Sequence, residues 1–170
     1  MNDHTAAEHR PIDLLTARAA LDELLDAGPA ALSPAGVWAD GPYLAVEHEH
    51  AYTREPDGTA HLEKRRYLLT ALAAHRYPEL LGQLDRAWRA RGWAVSGEDD
   101  PQLPVLRARS AYGTVEFRIG FAGNGTLLGR VDGLAATGTS YPFGGDSTVP
   151  VGPDGTMDTM PRHRDAFWSV

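Results

Sequence analysis

The chain has 170 residues, 42% of them hydrophobic and 23% charged, a balance suited to one soluble domain with its own core. A formal net charge of −7 argues against a nucleic-acid surface, and the absence of cysteine excludes disulfides, zinc–thiolate centres and thiol nucleophiles. No apolar run is long enough to span a membrane and MNDHTAAEHRPID has no apolar leader, so no membrane partner is expected and the expected setting is the cytoplasm.

In chain order, residues 1–10 are polar and expected to be mobile. Pro11 suits a first helical turn, and Ile12, Leu15, Ala19, Leu21, Leu24 and Leu25 recur at helical spacing. They predict a helix over 11–27, closed by Gly28-Pro29. After the loop GPAALSPAG, alternation predicts strand over 37–39 and 43–53, with a turn or bulge at Gly41-Pro42. Leu44, Val46, His48, His50 and Tyr52 would share one face of it, turned toward the helices or their margin. REPDGT reads as a turn.

Leu62, Leu68, Leu69 and Leu72 then suggest a helix that breaks near Arg76–Tyr77, ahead of Pro78. On it, the basic run Lys64, Arg65 and Arg66 would form a solvated face. Lys64 is the only lysine, and with the many alanines and glycines this suggests the coding bias of a GC-rich bacterium. Leu80, Leu81, Leu84 and Trp88 mark a second helix, capped by Gly92.

A meander follows in WAVSG, VLRARSA, TVEFRIGFA and TLLGRVDGLAATG, with Val115, Phe117, Ile119 and Phe121 inward. Asn124-Gly125 predicts a type I′ hairpin turn. From 137 onward the chain is rich in Gly, Pro, Ser and Thr, and reads as an irregular tail anchored by Tyr141, Phe143, Phe167 or Trp168. The expected architecture is therefore α+β. An antiparallel sheet of four to five strands carries helices on one face in a single domain over 11–136, followed by a Gly/Pro-rich tail over 137–170.

Motifs that carry chemistry are sparse. His48 and His50 would stand roughly 7 Å apart on one strand face, close enough to share an ion. A metal site needs at least a third donor, and His61, Glu55, His75 and Asp132 are the candidates, none at a diagnostic spacing. Gly41, His48, His50 and Glu55 resemble a first cupin motif only superficially, because the glycine spacing is off by one and no second motif follows. The HRD at 163–165 lacks the downstream asparagine of a kinase catalytic loop. Glu98, Asp99 and Asp100 read as a solvated acidic loop. Trp38, Trp88 and Trp93 belong in the core, whereas Trp168, close to the C-terminus, either docks on its own domain or anchors an interface.

The stretch YLLTAL…LLGQLDRAWRARGWAV, followed by PVLRARSAYGTVEFRIGFAGNGTLL, resembles a class of small uncharacterised actinobacterial proteins, some of them lipoproteins, over about 62–134. The lipoprotein members carry a cysteine near the start that this chain lacks, so the resemblance implies no membrane anchor. It implies an α+β fold and brings no catalytic residues.

The first functional expectation is a non-catalytic protein-binding module of immunity, adaptor or chaperone type, with no cofactor. Its partner would be another protein, contacted through Tyr141, Phe143, Phe167 and Trp168. One alternative is a metal-binding protein or metal-dependent enzyme using His48 and His50. The other is a structural subunit of a larger assembly.

Overall fold

The computed structural model describes residues 11–98, 100–136, 142–143 and 147–170. In chain order its regular elements are α1 (Leu14–Asp26), β1 (Trp38–Glu49), β2 (Pro56–Leu68), α2 (Tyr77–Ala90), β3 (Ala94–Glu98), β4 (Val105–Arg109), β5 (Thr114–Ile119), β6 (Gly125–Ala135) and the two-residue β7 (Pro142–Phe143). All pairings are antiparallel, in the order β3-β4-β5-β6-β2-β1-β7. The α+β class stands as expected. The sheet is larger than four to five strands, with six substantial strands and a short seventh at one edge.

The additional strand is β2, which replaces the helix expected around Leu62–Leu72. Its inward positions run Leu62, Lys64, Arg66 and Leu68, opposite Val131, Gly129, Leu127 and Gly125 of β6. Two of those four inward residues are charged, so the apolar alternation that identifies a strand is missing and the leucines mimic a helical spacing. Lys64 and Arg66 are 6% and 9% exposed, which corrects the solvated face expected for them.

The two helices lie where apolar periodicity is unbroken. In α1 the buried residues are Ala17, Leu21, Leu24 and Leu25, one face of a 3.6-residue period. The helix begins at Leu14 rather than at Pro11, because Asp13 caps it by accepting from the Thr16 N–H at 3.0 Å. That bond, with a second from the Thr16 hydroxyl, holds the Asp13 carboxyl below its ordinary range. In α2 the buried residues are Leu80, Leu84 and Trp88, and Gly92 follows at φ 78 in the left-handed conformation that ends helices. Pro78 sits in the first turn of α2, so it marks the start of a helix rather than a break within one.

Both helices cover the same face of the sheet. α1 packs on β6, β2 and β5, and α2 on β3 and β4. A Cβ added at Gly129 would fall 2.6 Å from Leu21 Cδ1, so the glycine lets α1 settle onto the centre of the sheet. Val115, Phe117 and Ile119 point into this core as expected, but Phe121 is 86% exposed. The strand ends at Ile119 and the hairpin turns at Phe121-Ala122, three residues earlier than the Asn124-Gly125 signal indicates. The Gly120 N–H donates to the Asn124 carbonyl, the Gly123 N–H donates to Gly120, and the residue with positive φ is Gly123.

Three irregularities shape the sheet. Between Asp40 and Tyr43 the register slips by one residue, at the expected Gly41-Pro42 bulge. Beyond it Tyr43, Ala45 and Glu47 face the helices, so Leu44, Val46 and His48 face the helix-free side, contrary to the orientation expected for them. A second shift falls between Glu47 and Glu49, and a third between Ala60 and His61, where β6 carries the extra residue Gly133 at φ 91.

The C-terminal segment returns to the body of the domain. His163 bridges Thr70 in parallel, and the His163 carbonyl accepts from the Ala71 N–H at 2.8 Å. Trp168 is 1% exposed, among the core residues. Val149 joins Ala39 and Leu69 in a smaller apolar cluster.

Candidate metal centre

The helix-free face of the sheet brings together three potential ligands from three strands. His48 lies at the end of β1, inside the β1/β2 register shift. His61 and Asp132 are directly opposed across β2 and β6, beside the bulge at Gly133. Asp132 follows the inward-facing Val131 and so points to the helix-free face, and the extra residue Gly133 then returns Leu134 to the core. One donor atom from each of His48, His61 and Asp132 lies within 4.8 Å of the other two. His61 is buried, His48 half-buried and Asp132 exposed, so the group opens onto solvent.

The hydrogen bonds around the two rings bear on the roles of the nitrogens that face each other. His48 Nδ1 is 2.9 Å from Thr59 Oγ1. The Thr59 hydroxyl donates at 2.6 Å to Asp57 Oδ1, which also accepts from the Thr59 N–H at 2.8 Å. These bonds from the side chain and backbone of Thr59 hold the Asp57 carboxyl below its ordinary range, so it accepts and does not donate. With its proton committed to Asp57, Thr59 Oγ1 accepts from His48 Nδ1–H, and His48 Nε2 carries a lone pair.

The second ring is arranged in the same way. His61 Nε2 is 3.4 Å from Glu63 Oε2, a long contact in which the ring N–H points to a carboxylate. In the tautomer that keeps this contact His61 Nδ1 is bare, and in the other it donates to His48 Nε2. Burial and the nearby Arg130 charge lower the His61 pKa, against the opposing pull of Glu63, and keep the ring neutral. The rings stack with centroids 5.0 Å apart at 28°, and His48 Nε2 lies 2.7 Å from His61 Nδ1. Two lone pairs at that separation repel unless a cation lies between or beside them. Either His61 moves its hydrogen to Nδ1 and gives up the Glu63 contact, or a cation, a further proton or a metal ion, sits there and leaves both rear bonds intact.

Asp132 is the adjustable member. Its Oδ1 accepts from Arg130 Nε at 2.9 Å and Nη2 at 2.6 Å. Both side chains of this pair are about half exposed, so giving up part of it for an ion costs on the order of 1 kcal/mol or less.

His50, paired with His48 in the sequence reading, does not join this group. Strand β1 ends at Glu49, and the His50 backbone enters a turn in which its N–H donates to the Glu55 carbonyl and its carbonyl accepts from the Arg54 N–H. His61 and Asp132, named among the third-ligand candidates, take its place, while Glu55 and His75 stay outside the group.

No family model, curated protein or solved structure matches this chain. Its function is therefore read from its own residues.

The aromatic residues expected to contact a partner are distributed differently. Tyr141 lies outside the described residues, and Phe143 is placed only as a strand position opposite Tyr43. Phe167 packs against the core with its ring beneath Arg76, whose guanidinium carbon is 4.0 Å from the ring centroid. Trp168 is enclosed in the core, the first of the two outcomes considered for it. The HRD residues serve this docking, since Asp165 Oδ1 accepts from the Phe167 and Trp168 N–H groups at 2.8 Å each.

Proposed function

We propose that the protein binds a divalent transition-metal ion through His48 Nε2, His61 Nδ1 and an oxygen of Asp132. The observation that carries this reading is the pair of facing imidazole nitrogens, each turned inward by an acceptor behind its ring. Rear hydrogen bonds of this kind set the tautomer and raise the basicity of metal-bound histidines. Two imidazoles and one carboxylate, with no thiolate anywhere in the chain, suit Zn²⁺. The same donor set serves Fe²⁺ in non-haem sites. Bonds of 2.0–2.1 Å to a tetrahedral ion place two nitrogens about 3.3 Å apart, so the rings need separate by only about half an ångström on binding. Three protein ligands on an exposed face match sites that add a water or substrate oxygen, rather than closed structural sites with four protein ligands.

A protein-partner role has less support, since Trp168, its foremost anchor, is enclosed in the chain's own core.

Titration of the purified, chelator-treated protein with Zn²⁺ tests the metal reading. One equivalent should bind, and free Zn²⁺ at about 100 times its Kd should raise the unfolding free energy by about 2.7 kcal/mol. The rise should shrink as the pH falls through the His61 pKa, which burial holds below the ordinary histidine value, because imidazole must be neutral to ligate. His48→Ala and His61→Ala should each remove the effect, and His50→Ala should leave it intact. Glu63→Gln should weaken binding about 10–100-fold by loosening the ring it orients. Equal binding by wild type and by the His48→Ala/His61→Ala variant would reject the site.

A further inference from the structure

The strands beside the metal ligands place a row of hydrogen-bond donors on the same face. Arg109 of β4 is paired with Thr114 of β5, and Thr114 with Arg130 of β6, so the three lie side by side across the sheet. With neighbouring strands about 4.8 Å apart, Arg109 and Arg130 are roughly 10 Å apart at their backbones and their side chains can converge above Thr114. All three residues line one surface depression of about 330 Å³.

The charges along this face are unevenly matched. Arg107 is held by Glu98 and Glu116, and Arg118 by Glu116. Among the described residues Arg130 is held by Asp132 alone. Arg109 has neither an ion-pair nor a hydrogen-bond partner among the described residues, and the same holds for the Thr114 hydroxyl. The row therefore presents one uncommitted guanidinium, one uncommitted hydroxyl and one guanidinium whose partner is itself a metal ligand. Binding of an ion by Asp132 would draw that carboxylate toward the metal and release Arg130.

We propose that Arg109, Thr114 and Arg130 form an oxyanion subsite for a phosphate or carboxylate group. Planar guanidinium forks match both groups in bidentate fashion, and a hydroxyl between them supplies a third donor. The Asp132–His61 pair lies one step along the strands, about 7 Å away, so a small molecule held here by its anionic end reaches the ion with its next few atoms. The reach to the ion and the release of Arg130 rest on the metal reading. The donor row stands on its own register and partners.

Calorimetric titration of the full chain with inorganic phosphate, and separately with acetate, tests the subsite in metal-free and Co²⁺-loaded protein. Saturable binding is expected, tighter in the Co²⁺ form, and at least tenfold weaker in Arg109→Ala/Arg130→Ala protein that still takes up one Co²⁺. The two probes identify the preferred oxyanion. Undiminished phosphate and acetate binding in the double variant, or no saturable binding of either anion by wild type, would overturn the subsite. Arginine-dependent anion binding by a protein that takes up no Co²⁺ would support the subsite while rejecting the metal reading.

Discussion

Replacing Trp168 with alanine is expected to lower the free energy of unfolding by about 3–5 kcal/mol, the usual loss when a large aromatic is removed from a core. The side chain is 1% exposed and meets Phe167 edge-on at 4.8 Å between ring centroids. Its indole N–H donates to the Pro34 carbonyl at 2.8 Å, which ties the C-terminus to the loop after α1. The Trp168 carbonyl accepts from the Ala73 N–H at 2.8 Å, and the Ser169 hydroxyl donates to the Ala71 carbonyl at 2.6 Å. Truncating the ring therefore leaves a cavity and an unpaired Pro34 carbonyl, while the backbone bonds to 69–73 remain. Urea unfolding followed by far-ultraviolet circular dichroism gives the measurement. Trp168→Phe, which keeps most of the volume but not the donor, should lose only about 1–2 kcal/mol. A change below about 1 kcal/mol for Trp168→Ala would mean that the segment contributes no core, and the partner-anchor reading of the tail would regain its footing.

The sequence offered no periodic signal for this docking. Residues 137–170 contain few apolar side chains and no regular spacing, and one buried tryptophan with backbone bonds to 69–73 does the anchoring. Elements whose apolar residues keep their period were legible, namely α1, α2 and the meander from β3 to β6. Where the inward face is polar the pattern misled, as in β2, and the candidate site suffered from the same error. With 56–68 read partly as helix, His61 could not be set opposite Asp132. His48 is visible as half of a cluster because it lies in a recognisable strand, but His50 two residues away lies outside the His48, His61 and Asp132 group. An isolated glycine inside a strand signals a bulge, and Gly133 is the bulged residue that lets both Asp132 and Leu134 keep their faces. The pairing of β2 with β6 is a long-range property of the topology, and no local pattern encodes it.

The charges that hid β2 lead to the second large effect. Asp40→Ala is expected to lower the unfolding free energy by about 3 kcal/mol, the lower end of the range for breaking a buried ion pair. Asp40 accepts from Lys64 Nζ at 3.3 Å and from Arg66 Nε, while Arg66 Nη1 reaches Asp26 at 2.8 Å. The cationic side chains are 7% and 11% exposed and the Asp40 carboxylate 31%, which places the effect at the lower end. Burial acts to lower the Arg66 pKa, but the bonds to Asp26 and Asp40 outweigh it and raise the value above the ordinary one. Lys64 also lies over the Tyr43 ring at 4.3 Å, and the Tyr43 hydroxyl donates to Asp22 of α1. Removing Asp40 leaves Arg66 with Asp26 alone and Lys64 with Asp22 at 3.8 Å and the Tyr43 ring, so their desolvation is only partly offset. Replacing the whole set, as in Asp40→Leu/Lys64→Met/Arg66→Met, should recover most of the loss, because Asp22 and Asp26 are solvated enough to stand without their partners. Thermal and urea unfolding of the two variants separates the cases. If Asp40→Ala stays within about 0.5 kcal/mol of wild type, solvent screens the network and it does not hold α1 to the sheet.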